Sequence, residues 1–537
     1  MDKEEANKKK AEELDNSQLL DVHRWSDYPE VNNSVNAIYK EFLALPKFKG
    51  KENIQKKHIK VVLLDLYVKH SADSTRYVSY YRMKGKYEGK GRYNKLHISF
   101  TTVAVVDLLE KLGYLEHHKG HYDRSGSRTS HMSRMRAKKK LIDLIDTKHH
   151  ATPLMVGKAP NTECIILRDK DPKSGKQVDI PYKDTADTRR MRRDLYKYNN
   201  LLRRTFIDVP FFPAGGVTSR SGSKKINIDR CDKFVRRIFN NGSWDDGGRF
   251  YGGWWQRLPK DWREQIRIDG SAVIEVDYSG LHIVLLYAIE GIDYWKDVGK
   301  DPYEISGLEK SERMRGLLKL VLLTSINCKS KESAVKAVQY EINMDKEDEY
   351  EWVSEERIDL EDLINQFAST HKPINKYLFS GHGVKLQNID ATIAEYVINK
   401  LTKEEIPVLC IHDSFVVQRE HGAKLHDLMQ EGFREAVVKL SELSDDLLSR
   451  VKEISFWDRL WDNAVGETTP LKNIIAVSPF NIDSELIPKD SFRISNDNKR
   501  IKSKGLVQDI DQGDSEYQKR FDEHRSVVWE KEYYQQE

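Results

Sequence analysis

Two aspartates stand at the ends of apolar runs, and their surroundings are alike. In Ile274-Glu-Val-Asp277-Tyr-Ser-Gly, extended residues lead to Asp277, a tight Ser-Gly follows, and the apolar stretch Leu281 to Ile289 comes next. That pattern predicts a buried strand with a carboxylate at its tip, a turn, and a helix packed behind. Further along, Pro407-Val-Leu-Cys-Ile-His412-Asp413-Ser-Phe-Val-Val-Gln predicts a strand, a His-Asp turn and an apolar return strand. Either aspartate taken singly reads equally well as a turn residue or a helix cap. Together, two carboxylates at strand tips are what a pair of Mg2+ ions needs for in-line phosphoryl transfer, with Mn2+ an alternative ion.

Cations of a matching kind lie nearby in the chain. Ser311 to Leu323 has helical spacing, and Arg315 and Lys319, four apart, share one face. Two cations facing one way could hold an incoming triphosphate, although an ordinary basic surface helix has the same pattern. Asn240 to Gln256 is dense in glycine and aromatics and contains Gly248-Arg249. Adjacent glycines let the backbone approach a ligand closely, and an arginine on such a turn suits a phosphate.

The elements that must carry these groups follow from periodicity. A helix is predicted over Asn36 to Leu45, and a second from about Lys57, with Ile59, Val62, Leu63, Leu66 and Tyr67 on one face. A third starts near Ser99, carries Val103, Val106, Leu109 and Leu112, and stops at Gly113. A short extended pair follows, with an Arg-rich tip at Asp123 to Arg128 and further basic residues, Arg134 among them. Helix, glycine stop, strand and basic hairpin is the order of a winged helix-turn-helix, in which Arg128 and Arg134 would touch nucleic acid. A generic helical domain with a surface hairpin competes with that reading. Residues 151–185 look irregular or weakly β. The Arg-rich stretch from Thr188 reads as a helix with Met191, Leu195, Tyr198 and Leu202 on its apolar stripe. The acidic stretch 343–362 reads as a surface excursion. An amphipathic helix from Ile389 to Leu401 feeds the Asp413 hairpin, residues 423–452 give one or two more, and beyond Gly466 the chain reads as an extension outside the core.

Composition narrows the class. The 537 residues are 39% hydrophobic and 32% charged, with a formal net charge of +4. No apolar run reaches the roughly 18 residues of a membrane span, and the first residues lack the apolar region of a secretory signal. The four cysteines, Cys164, Cys231, Cys328 and Cys410, are isolated, which argues against a structural zinc site and for a reducing, cytoplasmic location. Charge is uneven: residues 118–140 carry eight Lys/Arg against one Asp, as expected of a surface that orients on a polyanion.

Four elements stand in a fixed order: Asp245-x-x-Gly248-Arg249, Asp277-Tyr-Ser-Gly-Leu-His282, Arg315-x-x-x-Lys319, and Ile411-His412-Asp413-Ser-Phe. Together they resemble the right-hand polymerases of the family A DNA polymerase and phage-type single-subunit RNA polymerase superfamily, over roughly Arg236 to Asp462. The resemblance implies that Asp277 and Asp413 hold two Mg2+ ions and that Arg315 and Lys319 bind the triphosphate. It further implies that Arg249, with Gly248, steadies template or hybrid and that His412 lies near the primer terminus. Two positions depart from the family. Asn327-Cys328 stands where a Tyr-Gly is usual, and His282 stands where many of the DNA polymerases have a glutamate, so preference for the sugar does not transfer.

The expected fold is α+β: a right-hand palm and fingers core preceded by a mostly α winged-helix-like DNA-binding domain. The expected divisions are an N-terminal extension (1–50), the winged-helix-like domain (51–150), a linker with a thumb-like basic helix (151–235), the polymerase core (236–465) and a C-terminal extension (466–537). The expected function is template-directed nucleotidyl transfer by a compact RNA polymerase, primase or DNA polymerase acting in transcription or DNA replication. Its partners would be DNA, duplex and single-stranded, and nucleoside triphosphates, with no membrane. A non-catalytic replication-initiation or regulatory DNA-binding protein on the same scaffold is the alternative, and a metal-dependent nuclease a third reading that leaves Arg315 and Lys319 unexplained.

Overall fold

Apolar residues from Leu20 to Val156 form one core, and those from Cys164 to Val437 form another. The computed structural model describes residues 13–14, 16–45, 50–87, 91–121, 131–213, 216–218, 225–344, 350–440 and 510–530. The chain is α+β.

The first body is built on helices α1 (Pro29–Leu43), α2 (Glu52–Ala72) and α3 (Thr101–Lys111). They pack with a four-stranded sheet of β1 (Gln18–Leu19), β2 (Val78–Tyr80), β3 (Leu115–His118) and β4 (Ser133–Ala137), in the order β1-β2-β4-β3. Helix α1 starts earlier than its apolar spacing predicts, because Pro29 at its first turn already has the helical φ. Helix α2 differs more. Instead of one apolar face, every residue from His58 to Lys69 is buried, so the helix is the centre of this body. Its polar groups are paired rather than solvated: Lys60 Nζ donates to the Ser26 carbonyl (2.7 Å), and Lys69 pairs with Asp65 (2.8 Å).

The second body holds two larger sheets. One has the order β9-β8-β5-β6, from β5 (Ile165–Lys170), β6 (Gln177–Asp179), β8 (Arg236–Phe239) and β9 (Gly247–Tyr251). The other, antiparallel throughout, has the order β12-β13-β11-β10-β7, from β7 (Ile207–Asp208), β10 (Arg267–Ile268), β11 (Ser271–Asp277), β12 (Leu409–Ile411) and β13 (Ser414–Gln418). Around them stand α4 (Ala186–Arg204), α5 (Leu281–Ile289), α6 (Glu312–Asn327), α7 (Lys331–Met344), α8 (Leu360–Thr370), α9 (Gly383–Lys403) and α10 (Gly422–Leu440). The apolar stripe of α4 is the expected one, and several of its arginines are engaged within the chain: Arg192 with Glu163, Arg190 with Glu395 and Arg204 with Glu405. The acidic stretch 343–362 is not merely a surface excursion, since Trp352, Val353 and Leu360 are buried and α8 packs on α6.

A last helix, α11 (Ile510–His524), lies in the stretch expected outside the core. Tyr517, Phe521 and His524 ring Phe206, and Arg520 pairs with Asp208 at 2.7 Å. Val527 and Val528 then enter the first core, so this segment touches both bodies. Among the described residues no helix is long and apolar enough to cross a membrane.

Candidate active site

Strand β11 is apolar from Ala272 to Val276 except for Glu275, with Val273 and Val276 buried, and ends on Asp277. Its antiparallel register with β13 pairs Val276 with Phe415 and Asp277 with Ser414. The turn from β12 to β13 contains only His412 and Asp413, so Asp413 immediately precedes the residue opposite Asp277. The turn is tight enough to hold His412 at a φ of 60°, unusual for a residue with a side chain. Asp277 reaches solvent at the strand end, yet protein walls surround it. Desolvation first, and the charge of Asp413 second, push its carboxyl up to about 7, while Lys319 pulls the other way. Glu275, two residues earlier, is neutralised by Arg263 (2.7 Å) and accepts a hydrogen bond from Ser414 Oγ (2.8 Å).

Helix α6 brings the cations. Ser311 caps it by accepting the Met314 N–H, and the buried stripe Met314, Leu317, Leu318, Val321 and Leu322 orients it. Lys319 is exposed and makes no ion pair with a described residue. Arg315 is held: its Nε pairs with Asp301 (2.7 Å), its Nη2 donates to Ser279 Oγ (3.3 Å), and its guanidinium lies 5.0 Å from the centre of the Tyr303 ring.

Arg249, on β9, is not a free clamp. It forms a forked ion pair with the fully buried Asp390 of α9, through Nε (2.9 Å) and Nη2. His282 joins the same carboxylate at 3.2 Å. Despite desolvation, Asp390 raises the Arg249 pKa, and Asp413 adds to it, so the arginine borders the acidic pair with one edge of its fork. Gly248, at a φ of 84°, lets the strand pass under Phe239: a Cβ there would sit 2.8 Å from that ring and 3.2 Å from Asn388. His412 lies edge-on to Tyr251 (5.2 Å), and burial, then Arg249, lower its pKa and keep its ring neutral.

The structure therefore gathers Asp277, Asp413, Lys319, Arg315, Arg249, Gly248, His282 and His412 into one region. Asn327 stands apart at the far end of α6, donating to the Leu323 carbonyl (2.8 Å) and pressed against Gly383. Arg134 is in the other body, on β4, where its Nε donates to Ser17 Oγ (3.3 Å). Arg128 lies outside the described residues. Sequence reading passed over Glu275, Asp301, Tyr303 and Asp390. Of these only Glu275 left a trace, as an acid two residues from Asp277 and so on the same side of the strand.

The pair Asp277 and Asp413 fits divalent cations on chemical grounds: hard carboxylate oxygens whose mutual repulsion a cation would relieve. A second grouping, Asp107, Glu110 and His117, brings its ligand atoms close together in the other body. Its members already have partners, Asp107 in Arg82 (2.6 Å) and His117 in Glu110 (2.9 Å) and Tyr80 (2.8 Å). No protein-family model and no curated protein matches the chain.

Proposed function

We propose that the chain is a template-directed nucleotidyltransferase, an RNA polymerase, primase or DNA polymerase, with a winged-helix-like nucleic-acid-binding module ahead of a palm-and-fingers core. One observation carries the reading: Asp277 and Asp413 lie side by side at the ends of paired strands, with Lys319 in their field and Arg315 on the same helix. Phosphoryl transfer asks for positioning and charge neutralisation, and these residues supply both.

In this reading Asp277 and Asp413 hold the metal ions. Two bound Mg2+ ions, or Mn2+, supply activation of the primer 3′-hydroxyl and neutralisation of the triphosphate. The 3′-oxygen forms a bond to the α-phosphorus while the bond from that phosphorus to the β-bridging oxygen breaks. The hydroxyl proton passes to solvent, and Lys319 gives a proton to the departing pyrophosphate. Arg315 exchanges Asp301 for phosphate oxygens. Arg249 stays on Asp390 and steadies the region between that acid and the Asp413 turn, so its contact with a template is limited to its outer edge. His412, neutral and fixed by the turn, lines the primer side.

The order α2, β2, α3, β3, β4, with β4 between β2 and β3, supports the winged-helix reading of the first body. Lys119 and Lys138 are exposed at the ends of the β3–β4 pair, and in this reading they would contact the phosphate backbone. Extension of a primed single-stranded DNA template with Mg2+, by the wild type and by Asp413→Ala, tests the proposal. Extension lost in the variant is expected. No extension by the wild type with either NTPs or dNTPs favours the second reading, a DNA-binding protein on the same scaffold, which Asn327-Cys328 in place of Tyr-Gly favours.

A further inference from the structure

Asp301-Pro302-Tyr303, between α5 and α6, is built into the site from three sides. Pro302 lies over the turn that follows Asp277, where a Cβ on Gly280 would sit 2.6 Å from its Cγ. Its carbonyl is held by His371 Nε2 at 3.1 Å, and His371 Nδ1 pairs with the Tyr287 hydroxyl at 3.0 Å. Burial lowers His371 to about 4, so this brace stays neutral and unchanged at working pH. Asp301 accepts the Tyr303 N–H (2.8 Å) with one oxygen and Arg315 with the other. Tyr303 is thereby fixed with only 4% of its surface exposed, its ring beneath the Arg315 guanidinium.

The hydroxyl of this fixed ring has no hydrogen-bond partner among the described residues, and it is not one of the sealed-off polar atoms of the interior. Burial first, with the charges of Asp413, Asp301 and Asp277 set against that of Arg315, keeps it protonated and able to donate. A rigid phenol left unpartnered beside two acids and a cation calls for a partner from the substrate. Phosphate oxygens in this cleft already have Arg315 and Lys319. The substrate group that matches a neutral donor-acceptor is a sugar hydroxyl.

The two positions at which the resemblance would place sugar selection are committed elsewhere. His282 is tied to Asp390, and Asn327 donates to the Leu323 carbonyl and packs against Gly383. We infer that Tyr303 is the residue that reads the sugar of the incoming nucleotide, through its free hydroxyl. This rests on the proposed nucleotidyl transfer.

The test measures kcat/KM for ATP and for dATP opposite the same template base, in wild type and in Tyr303→Phe, which keeps the ring and its packing. The ratio of the two is expected to move toward unity by about 10-fold, the worth of one hydrogen bond to a substrate hydroxyl. His282→Ala and Asn327→Ala are expected to leave the ratio in place whatever they do to the overall rate. A wild type that extends with either nucleotide while Tyr303→Phe keeps its ratio overturns the role of Tyr303 alone. A wild type that extends with neither overturns the nucleotidyl-transfer reading and this inference with it.

Discussion

Asp277 faces Ser414 across two antiparallel strands, so the carboxylate of Asp277 and that of Asp413 meet at the same strand end. The register is set by burial. Val276, Phe415 and Val416 are interior, and a slip by one residue would exchange the faces of the side chains on β13 and carry Ser414 and the Asp413 turn away from Asp277. The chemistry is thus fixed by hydrophobic packing several residues away.

Burial of Asp277, with repulsion from Asp413 added to it, has a measurable cost without metal. Between the ordinary carboxylate range and about pH 7, folded Asp277 keeps a proton that the unfolded chain has lost. Folded stability therefore falls as pH rises through that window, and levels off above it. Asp277→Asn is expected to unfold at a higher temperature than wild type at pH 8 in chelator, and at the same temperature near pH 4. Added Mg2+ should stabilise the wild type and not the variant. Equal melting of the two proteins at pH 8 without metal would contradict the raised Asp277 carboxyl.

Lys319 is exposed and makes no ion pair with a described residue, so its removal disturbs little besides the charge it offers. Lys319→Ala is expected to lower single-turnover nucleotide incorporation by about 100-fold, the scale of one lost stabilising group. Affinity for primed template should hold, because this cation serves the triphosphate. Parallel losses of incorporation and of nucleic-acid affinity would place Lys319 on the template instead.

Arg249 and Asp390 show why part of the site was legible in sequence and part was not. Asp277, Asp413 and the Arg315–Lys319 face sit where strand and helix periodicity place them, because each is the polar end or edge of an apolar pattern. The fate of Arg249 depends on α9, more than a hundred residues away in sequence, and no local spacing announces that Asp390 will be buried beneath it. Tyr303 is equally silent, since a tyrosine in a loop has no period. Helix α2 misled for the opposite reason: three buried charges interrupt its apolar residues and imitate a solvent face. The C-terminal stripe Tyr517, Phe521, His524 and Val528 has helical spacing, but polar neighbours mask it.

The Arg249–Asp390 pair makes a stability prediction of its own. Asp390→Ala leaves a half-buried guanidinium unpaired, and Arg249→Ala leaves a buried carboxylate. Each single variant is expected to lose about 3 kcal/mol of unfolding free energy in urea, and the double variant less than the sum. Additive losses would mean that the pair is only an incidental contact.

Arg24 joins the two bodies. It is 2% exposed, with Nε 3.5 Å from Asp65 on α2 and Nη2 2.5 Å from Asp229, beside Ile228 of the second core. Against desolvation, the charges of Asp229, Asp21 and Asp65 raise its pKa well above the usual arginine value. Asp65 keeps Lys69 as a partner when Arg24 is removed, whereas Asp229 has no second ion pair among the described residues. Arg24→Ala should therefore weaken the junction more than either body. Calorimetry of the full chain is expected to show one unfolding transition in wild type and two in the variant, the bodies melting separately. One transition at an unchanged midpoint would mean that Phe206 and α11, which also bridge the bodies, suffice to couple them without Arg24.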